Sequence, residues 1–362
     1  MNKALQQVRE KLGHLTLACP PTLWLQTGIP MLNRVIGHSD NGIPYGRITE
    51  ISGKFSEGKT TLALAFAALV QYNGGLVIWD DLEHSFVPDY AISRGIAACP
   101  ICKGTGRSKD EKGCRDCGGG ASCRSCDGSG KSGKGKKCVD CLGSGEDAGE
   151  KIDTSRLIWL RPYIGSFRKK NAQGKMVADK EERLTTAQEI TAEIDSLIGL
   201  LRKTNDRIMV VIDSIPAMLP QSEAAAGIEG GSQFTEQSLP KFLGHLLRRW
   251  VGLAQTTNTW ILAINQMRQN VRTTGWFTPG GNAFKFYAHV RISVNRKFKS
   301  GDIIDRGKLI GFQGTMFCVK NKTGGVEKSR VGYRVLFDRK RVEFCNASEI
   351  APPKKEDVSA AE

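Results

Sequence analysis

Hydrophobic positions along this 362-residue chain fall into two recurring patterns. Short segments built on apolar runs, GLVIWDD, IMVVIDSI and TWILAINQ, predict buried strands, while ITEI predicts a short strand and RLIWLRP further strand character. Longer stretches with helical spacing lie between them. TTLALAFAALVQYN predicts one helix, and LPKFLGHLLRRWVGLAQ another. LTTAQEITAEIDSLIGLLRKT is amphipathic, with Thr185 or Thr186 as its N-cap. Strands alternating with helices predict an α/β fold, a mostly parallel twisted sheet with helices on both faces. From Val290 onward the pattern is strand-rich and predicts antiparallel pairing. Residues 2–12 predict a short helix and HLTLA a strand. The polar, basic run 166–183 predicts an exposed loop, and APPKKEDVSAAE a disordered tail.

One segment has neither period. Residues 98–151 hold almost no apolar side chains and are rich in Gly, Lys and Cys. Eight of the chain's eleven cysteines lie there as four CxxC pairs: Cys99 with Cys102, Cys114 with Cys117, Cys123 with Cys126, and Cys138 with Cys141. Three pairs continue as CxGxG, where glycine lets the backbone turn tightly around thiolates. In the second, Ala121 takes the last glycine's place. Regular pairs predict two tetrahedral four-cysteine Zn²⁺ sites rather than redox dithiols. The symmetric spacing predicts a nested β-hairpin module, pair one meeting pair four and pair two meeting pair three. The sequential pairing, one with two and three with four, stays open. With so little to bury, the segment must fold on its metal. Cys19, Cys318 and Cys345 stand alone and read as core or incidental residues.

Composition narrows the class. No run of ~18 apolar residues occurs, so no membrane helix is expected, and the charged N-terminus lacks a secretory core. A cytoplasmic location is the expectation. The 52 Lys and Arg outweigh 37 Asp and Glu, for a formal charge of +15. An excess of this size suits a polyanionic partner. Segment 296–344 carries thirteen of the basic residues against five acidic ones.

The chemistry is most legible around Gly53-Lys54-Phe55-Ser56-Glu57-Gly58-Lys59-Thr60, which fits GxxxxGK[ST] between a strand and a helix. Such a loop turns backbone N–H groups toward phosphate oxygens, and the helix N-terminus adds positive potential. Lys59 is expected to reach the β- and γ-phosphates of ATP. Thr60 is expected to ligate Mg²⁺, with Thr61 following it in the nucleotide site. Asp213, at the end of IMVVIDS, is the expected second Mg²⁺ group. Glu83 is the candidate general base. Taken alone, Asp80, Asp81 and Glu83 would read as exposed acids. Gln266, closing TWILAINQ, is placed to sense the γ-phosphate.

These motifs, in order, resemble the bacterial RecA recombinase family and its phage-encoded relatives. The resemblance covers residues 26–97 and 152–337, through TGIPMLNRVIG, GRITEISGKFSEGKTTL, DDLEH, VVIDS, INQMR, GGNAFKFYAHVR and VKNK. It implies a RecA-like ATPase core over 26–97 and 152–345. Residues 1–25 are then an N-terminal, candidate oligomerisation segment, and 346–362 a tail. It implies that Glu83 is catalytic and that Gln266 couples ATP to a DNA-binding loop. Tyr90 would stack on adenine. Val87 stands where the family usually has an acidic residue. Lys320 and Lys322 would reach the ATP of a neighbouring subunit, with Lys285 and Phe286 at that interface. Two loops, about 221–237 and 267–281, would hold single-stranded DNA. The DNA-contacting set is Lys241, Arg248, Arg268, Val271, Arg272, Gly280, Gly281 and Asn282. Trp276 and Phe277 read either as base-stacking or as local packing residues.

The function implied is an ATP-dependent recombinase that forms helical filaments on single-stranded DNA, pairs it with homologous double-stranded DNA and exchanges strands. Two other readings stand beside it: a RecA-like ATPase that regulates or loads, using the cysteine segment to dock a protein, and a hexameric helicase. The cysteine segment resembles the zinc-binding region of DnaJ-type cochaperones, without the HPD signature of their J-domain. Its basic residues point to DNA or a partner protein, or it is an inert appendage. About twenty-five residues follow VGYRVLF, too few for the family's usual C-terminal domain. Duplex capture is therefore expected of the cysteine segment.

Overall fold

The computed structural model describes residues 23–38, 41–98, 152–153, 155–161, 165–170, 176–183, 185–203, 207–226, 238–269, 275–296, 301–338 and 342–350. The eight expected zinc ligands, Cys99, Cys102, Cys114, Cys117, Cys123, Cys126, Cys138 and Cys141, lie outside them. So do Val271 and Arg272, most of the first DNA loop, and the N-terminal helix and strand expected within residues 2–18.

In chain order the strands are β1 (Trp24–Leu25), β2 (Ile43–Pro44), β3 (Ile48–Gly53), β4 (Leu76–Asp81), β5 (Leu157–Leu160), β6 (Gly165–Lys170), β7 (Met176–Arg183), β8 (Ile208–Asp213), β9 (Thr259–Gln266), β10 (Arg268–Gln269), β11 (Trp276–Phe277), β12 (Val290–Arg296), β13 (Asp302–Asp305), β14 (Lys308–Asn321), β15 (Arg330–Leu336) and β16 (Val342–Cys345). The described helices are α1 (Pro30–Ile36), α2 (Lys59–Tyr72), α3 (Pro88–Ser93), α4 (Ala187–Leu201), α5 (Gln221–Ala226), α6 (Ser238–Thr257) and α7 (Ala283–Tyr287).

One ten-stranded sheet organises the molecule, in the order β16-β15-β14-β12-β3-β9-β8-β4-β5, with β13 on β14. Strands from β12 to β5 run parallel; β12 to β16 run antiparallel. The expected antiparallel C-terminal section is thus fused to the parallel sheet, and β12 is the seam. The central strands are buried on both faces because each face is covered. Trp79, Val211 and Leu262 pack on the side of α2 with Leu62 and Phe66. Ile78, Ile212 and Ile261 pack on the side of α4 and α6 with Ile194, Leu247 and Trp250. Thr186 is the N-cap of α4, and with Glu189 it forms a reciprocal capping box.

Three expectations are corrected. Residues 165–170 and 176–183 form an antiparallel hairpin, not a loop. A hairpin meets its own backbone hydrogen bonds without an apolar face, so a polar run conceals it. Trp24 and Leu25, assigned to an N-terminal segment, pair with β2, and Leu25 is buried. The assigned tail begins too early. Residues 347–349 form a 3₁₀ turn, and buried Ile350 fills the space beside Gly332, where a Cβ would lie 2.6 Å from its Cγ1. Asp80 and Asp81 are buried in β4, in keeping with the buried strand expected over GLVIWDD.

The cysteine segment leaves and re-enters at one place. Ala98 and Ile152 form an isolated antiparallel bridge, and Asp153 N–H donates to Ala97 O at 2.8 Å.

Candidate nucleotide site and nucleic-acid interface

The phosphate loop joins β3 to α2, its residues running from Gly53 at the C-terminal end of the parallel strand. Gly58 sits at φ +82°, a conformation other residues resist, and precedes the first helical residue, Lys59. Phe55 and Ser56 form the exposed outer turn. Beneath it, Glu57 is buried and its carboxylate accepts the Lys54 N–H at 2.5 Å. Tyr333 Oη donates to Glu57 O at 2.6 Å, bracing the loop against β15. Burial pushes the Glu57 carboxyl up, opposed by its hydrogen bonds and nearby Lys59 and Lys54. The Glu57 side chain is therefore a brace beneath the loop. Lys59 lies across the loop, with Nζ donating to Lys54 O at 2.6 Å. Burial lowers its pKa, opposed by Glu57, Glu83 and Asp213.

Acidic groups gather at the neighbouring strand ends. Asp213 closes β8, accepts from Thr60, and is raised to about 7, by burial first and then by the Glu83 charge. This pair suits Mg²⁺, which keeps most ligands as water and phosphate and needs few protein groups. Among the described residues no cluster of three or more His, Cys, Asp or Glu side chains could hold a metal ion. Glu83 is held in place by its main chain, whose N–H donates to Asp213 O at 3.2 Å. Its Oε1 accepts from Ser214 Oγ and from Gln266 Nε2, the latter at 2.5 Å. Tyr90 lies one side chain away from the loop, its hydroxyl 2.7 Å from Thr61 Oγ1. Val87 is exposed at the start of α3. The fold thus brings together Lys59, Thr60, Asp213, Glu83 and Gln266, with Tyr90 alongside.

Lys320 and Lys322 lie elsewhere. Lys320 pairs in register with Arg291, which pairs with Glu50, and Lys322 N–H donates to His289 O. Both lysines are therefore level with the start of β3, some three to five residues from Gly53, or about 10–16 Å. There Lys320 Nζ caps α7, donating to Lys285 O at 2.6 Å and Ala288 O at 2.7 Å. Its pKa is lowered to about 8, by burial first and then by Lys322 and Arg291. These lysines do not join the phosphate loop of their own chain.

Among the described residues expected to touch DNA, Arg268, Gly280 and Gly281 line one cleft, and the two glycines pack against the start of α6, which carries Lys241. Gly280 and Gly281 adopt φ +91° and +66°. A Cβ on Gly280 would lie 2.4 Å from Leu243 Cδ1, and one on Gly281 3.2 Å from Pro240 Cβ. The two glycines therefore seat the second loop on the first turns of α6, near Lys241. A cleft of about 460 Å³ between the loop stems is lined by Pro216, Met218, Glu223, Arg268, Phe277 and Gly280 among others. Arg268 and Lys241 are exposed, and Arg248 is held on α6 by a bond from Nε to Gly244 O at 2.9 Å. Asn282 is the N-cap residue of α7.

Sequence reasoning missed three features here. Tyr333 and the bracing role of Glu57 carry no motif. Lys54 belongs to the phosphate loop by sequence, but its ammonium lies 4.2 Å from the centroid of the Trp276 ring.

The family model of the RecA N-terminal domain matches residues 6–101 and 176–338 and passes over the segment between. Protein RecA of Rickettsia canadensis is 30% identical over 328 residues, covering 88% of this chain and 69% of that protein. The plasmid-encoded Protein RecA of Lactococcus lactis is 28% identical over 347 residues, 93% and 74%. Protein RecA of Ureaplasma parvum serovar 3 is 28% identical over 302 residues, 82% of this chain, and the match spans only 63% of that relative's length.

Proposed function

The chain belongs to the RecA family, and on that premise we propose that it is a DNA-dependent ATPase and recombinase, coating single-stranded DNA as a filament and exchanging strands with homologous duplex. One observation carries this reading. Gln266 donates to Glu83 at the end of β9, and the next residue, Met267, donates its N–H to Gly53 O at 2.9 Å. The second DNA loop thus starts on the phosphate loop and on the candidate base.

Gly53 to Thr61 would hold ATP, with Thr60 and Asp213 on Mg²⁺. Bound Mg²⁺ would neutralise charge on the β- and γ-phosphates. Lys59 would move from Lys54 O to phosphate, Glu83 would orient the attacking water, and Gln266 would report the change to the loop. Tyr90 would face the base. Lys320 and Lys322, too distant from their own site, would act on a neighbour's ATP, making hydrolysis conditional on assembly. Lys241, Arg248, Arg268 and the Gly280–Gly281–Asn282 backbone would contact phosphates without reading bases. Binding would then tolerate any sequence and weaken steeply with salt.

The cysteine segment is assigned two zinc ions, since its donors are thiolates alone, the set that favours zinc. In the nested pairing Cys99 and Cys102 would share one ion with Cys138 and Cys141, and Cys114 and Cys117 the other with Cys123 and Cys126. The segment would contact duplex DNA or a protein partner. In the core test, wild type is expected to exchange strands with homologous but not heterologous duplex, and Lys59→Ala to lose exchange. ATP hydrolysis without homology-dependent exchange would favour the regulator reading.

A further inference from the structure

Lys54 occupies the second position of the phosphate loop, and every polar part of it is engaged. Its N–H donates to Glu57 Oε2 at 2.5 Å, and its carbonyl accepts the Lys59 ammonium at 2.6 Å. Its own ammonium lies 4.2 Å from the Trp276 ring centroid, within cation–π range. Trp276 is half-buried in β11, opposite Gln269 of β10, so its ring belongs to the hairpin at the stem of the second loop. Both ends of that hairpin are tied down near the nucleotide site: Met267 N–H donates to Gly53 O, and Asn265 Nδ2 to Pro279 O at 3.2 Å.

We propose that Lys54 and Trp276 form an intrachain latch by which the occupant of the phosphate loop sets the position of the β10–β11 hairpin. A triphosphate and the Lys54 carbonyl compete for the same Lys59 ammonium. When phosphate takes it, Lys54 loses a constraint on its main chain and the latch loosens. The hairpin then moves independently of the Gln266–Glu83 contact, which lies at the other end of the same turn. Trp276 acts as a positioning residue, through Lys54, and not by touching nucleotide. The inference rests on nucleotide binding at this loop, and only its DNA consequence rests on the recombinase reading.

The test begins without DNA. Acrylamide quenching of Trp276 is taken as wild type minus Trp276→Phe, with and without a non-hydrolysable ATP analogue whose binding is monitored separately. The analogue is expected to raise the quenching constant about twofold or more. Lys54→Met should raise it without nucleotide and leave no further response, and Lys54→Arg should restore the wild-type response. An unchanged constant in wild type with analogue bound would overturn the latch.

The second arm measures oligo-dT affinity with and without the analogue. Trp276→Leu should change the ratio of the two affinities by about two- to thirtyfold, the range of one cation–π contact. By linkage, the effect of oligo-dT on analogue affinity should change by the same factor. Equal weakening in both states would identify Trp276 as a base-stacking residue and overturn the proposal. If wild type bound no oligo-dT at all, the recombinase reading would fall while the quenching arm still decided the latch.

Discussion

Replacing Asp80 with asparagine should stabilise the protein, and more so as pH rises. Asp80 is fully buried in β4, and neither carboxylate oxygen has a hydrogen-bond partner among the described residues. Its register neighbours are Leu160 and Ile212, and Ile78 shares its face. Burial, then the charges of Asp81, Glu193 and Asp213, raise its pKa from 3.8 to about 8. The folded state therefore holds a proton that the unfolded chain releases above 3.8. Stability on this account is greatest below pH 3.8 and falls by about 1.36 kcal/mol per pH unit until about pH 8. By pH 7 the wild type has lost about 4 kcal/mol, a large share of a typical folding free energy. Asparagine keeps the size and removes the titration. Urea midpoints at about pH 5.5 and 8.5 give the comparison, since they bracket most of the falling limb. The Asp80→Asn variant should gain roughly 3 kcal/mol more over wild type at the higher pH than at the lower. An increment equal at both values would mean that Asp80 does not titrate in this window and that the burial argument is wrong.

Three further outcomes follow from other residues. Asp213, raised to about 7, should make Mg²⁺-dependent nucleotide binding weaken as pH falls through 7, because protons compete for the carboxylate; Asp213→Asn should abolish that dependence in a fluorescent-nucleotide titration. Gly280→Ala meets both a φ of +91° and Leu243 Cδ1 at 2.4 Å, so it should cost about 1–3 kcal/mol in thermal or urea stability and weaken oligo-dT binding. Metal analysis of the full chain should return two zinc per chain, and replacing both Cys99 and Cys102 with serine should lower that number; zinc below one per wild-type chain would remove the metal reading.

Much of the core is readable because the relevant physics is local. The phosphate loop announces itself by glycine spacing, and β4, β8 and β9 by short apolar runs that suit a sheet covered on both faces. The start of α4 is legible to within one residue: Gln188 stands three residues after Thr185 and Glu189 three after Thr186, and the structure places the cap at Thr186. What stays hidden depends on contacts distant in sequence. Tyr333 meets the loop from 276 residues away, and Lys54 meets Trp276 across 222 positions. The β6–β7 hairpin lies in a mostly polar, basic run whose sequence shows no clear strand period. Asp80 lies within the expected GLVIWDD strand, but the acids Glu193 and Asp213, whose charges add to the effect of its burial, come from distant parts of the chain. Lys320 and Lys322 are found by motif, but their distance from the phosphate loop needs the strand register.

The Ala98–Ile152 bridge makes the base of the cysteine segment a splice point. The 53 residues between its partners begin and end at adjacent backbone positions, so the sheet's register does not depend on what connects them. A turn of about four residues could close the same gap, and by loop-closure entropy alone the shorter chain would be favoured by about 2 kcal/mol. A different small domain with neighbouring termini could be grafted there on the same footing. The core is in this sense a socket, able to accept new cargo at one point on its surface while the strands that build the nucleotide site keep their places.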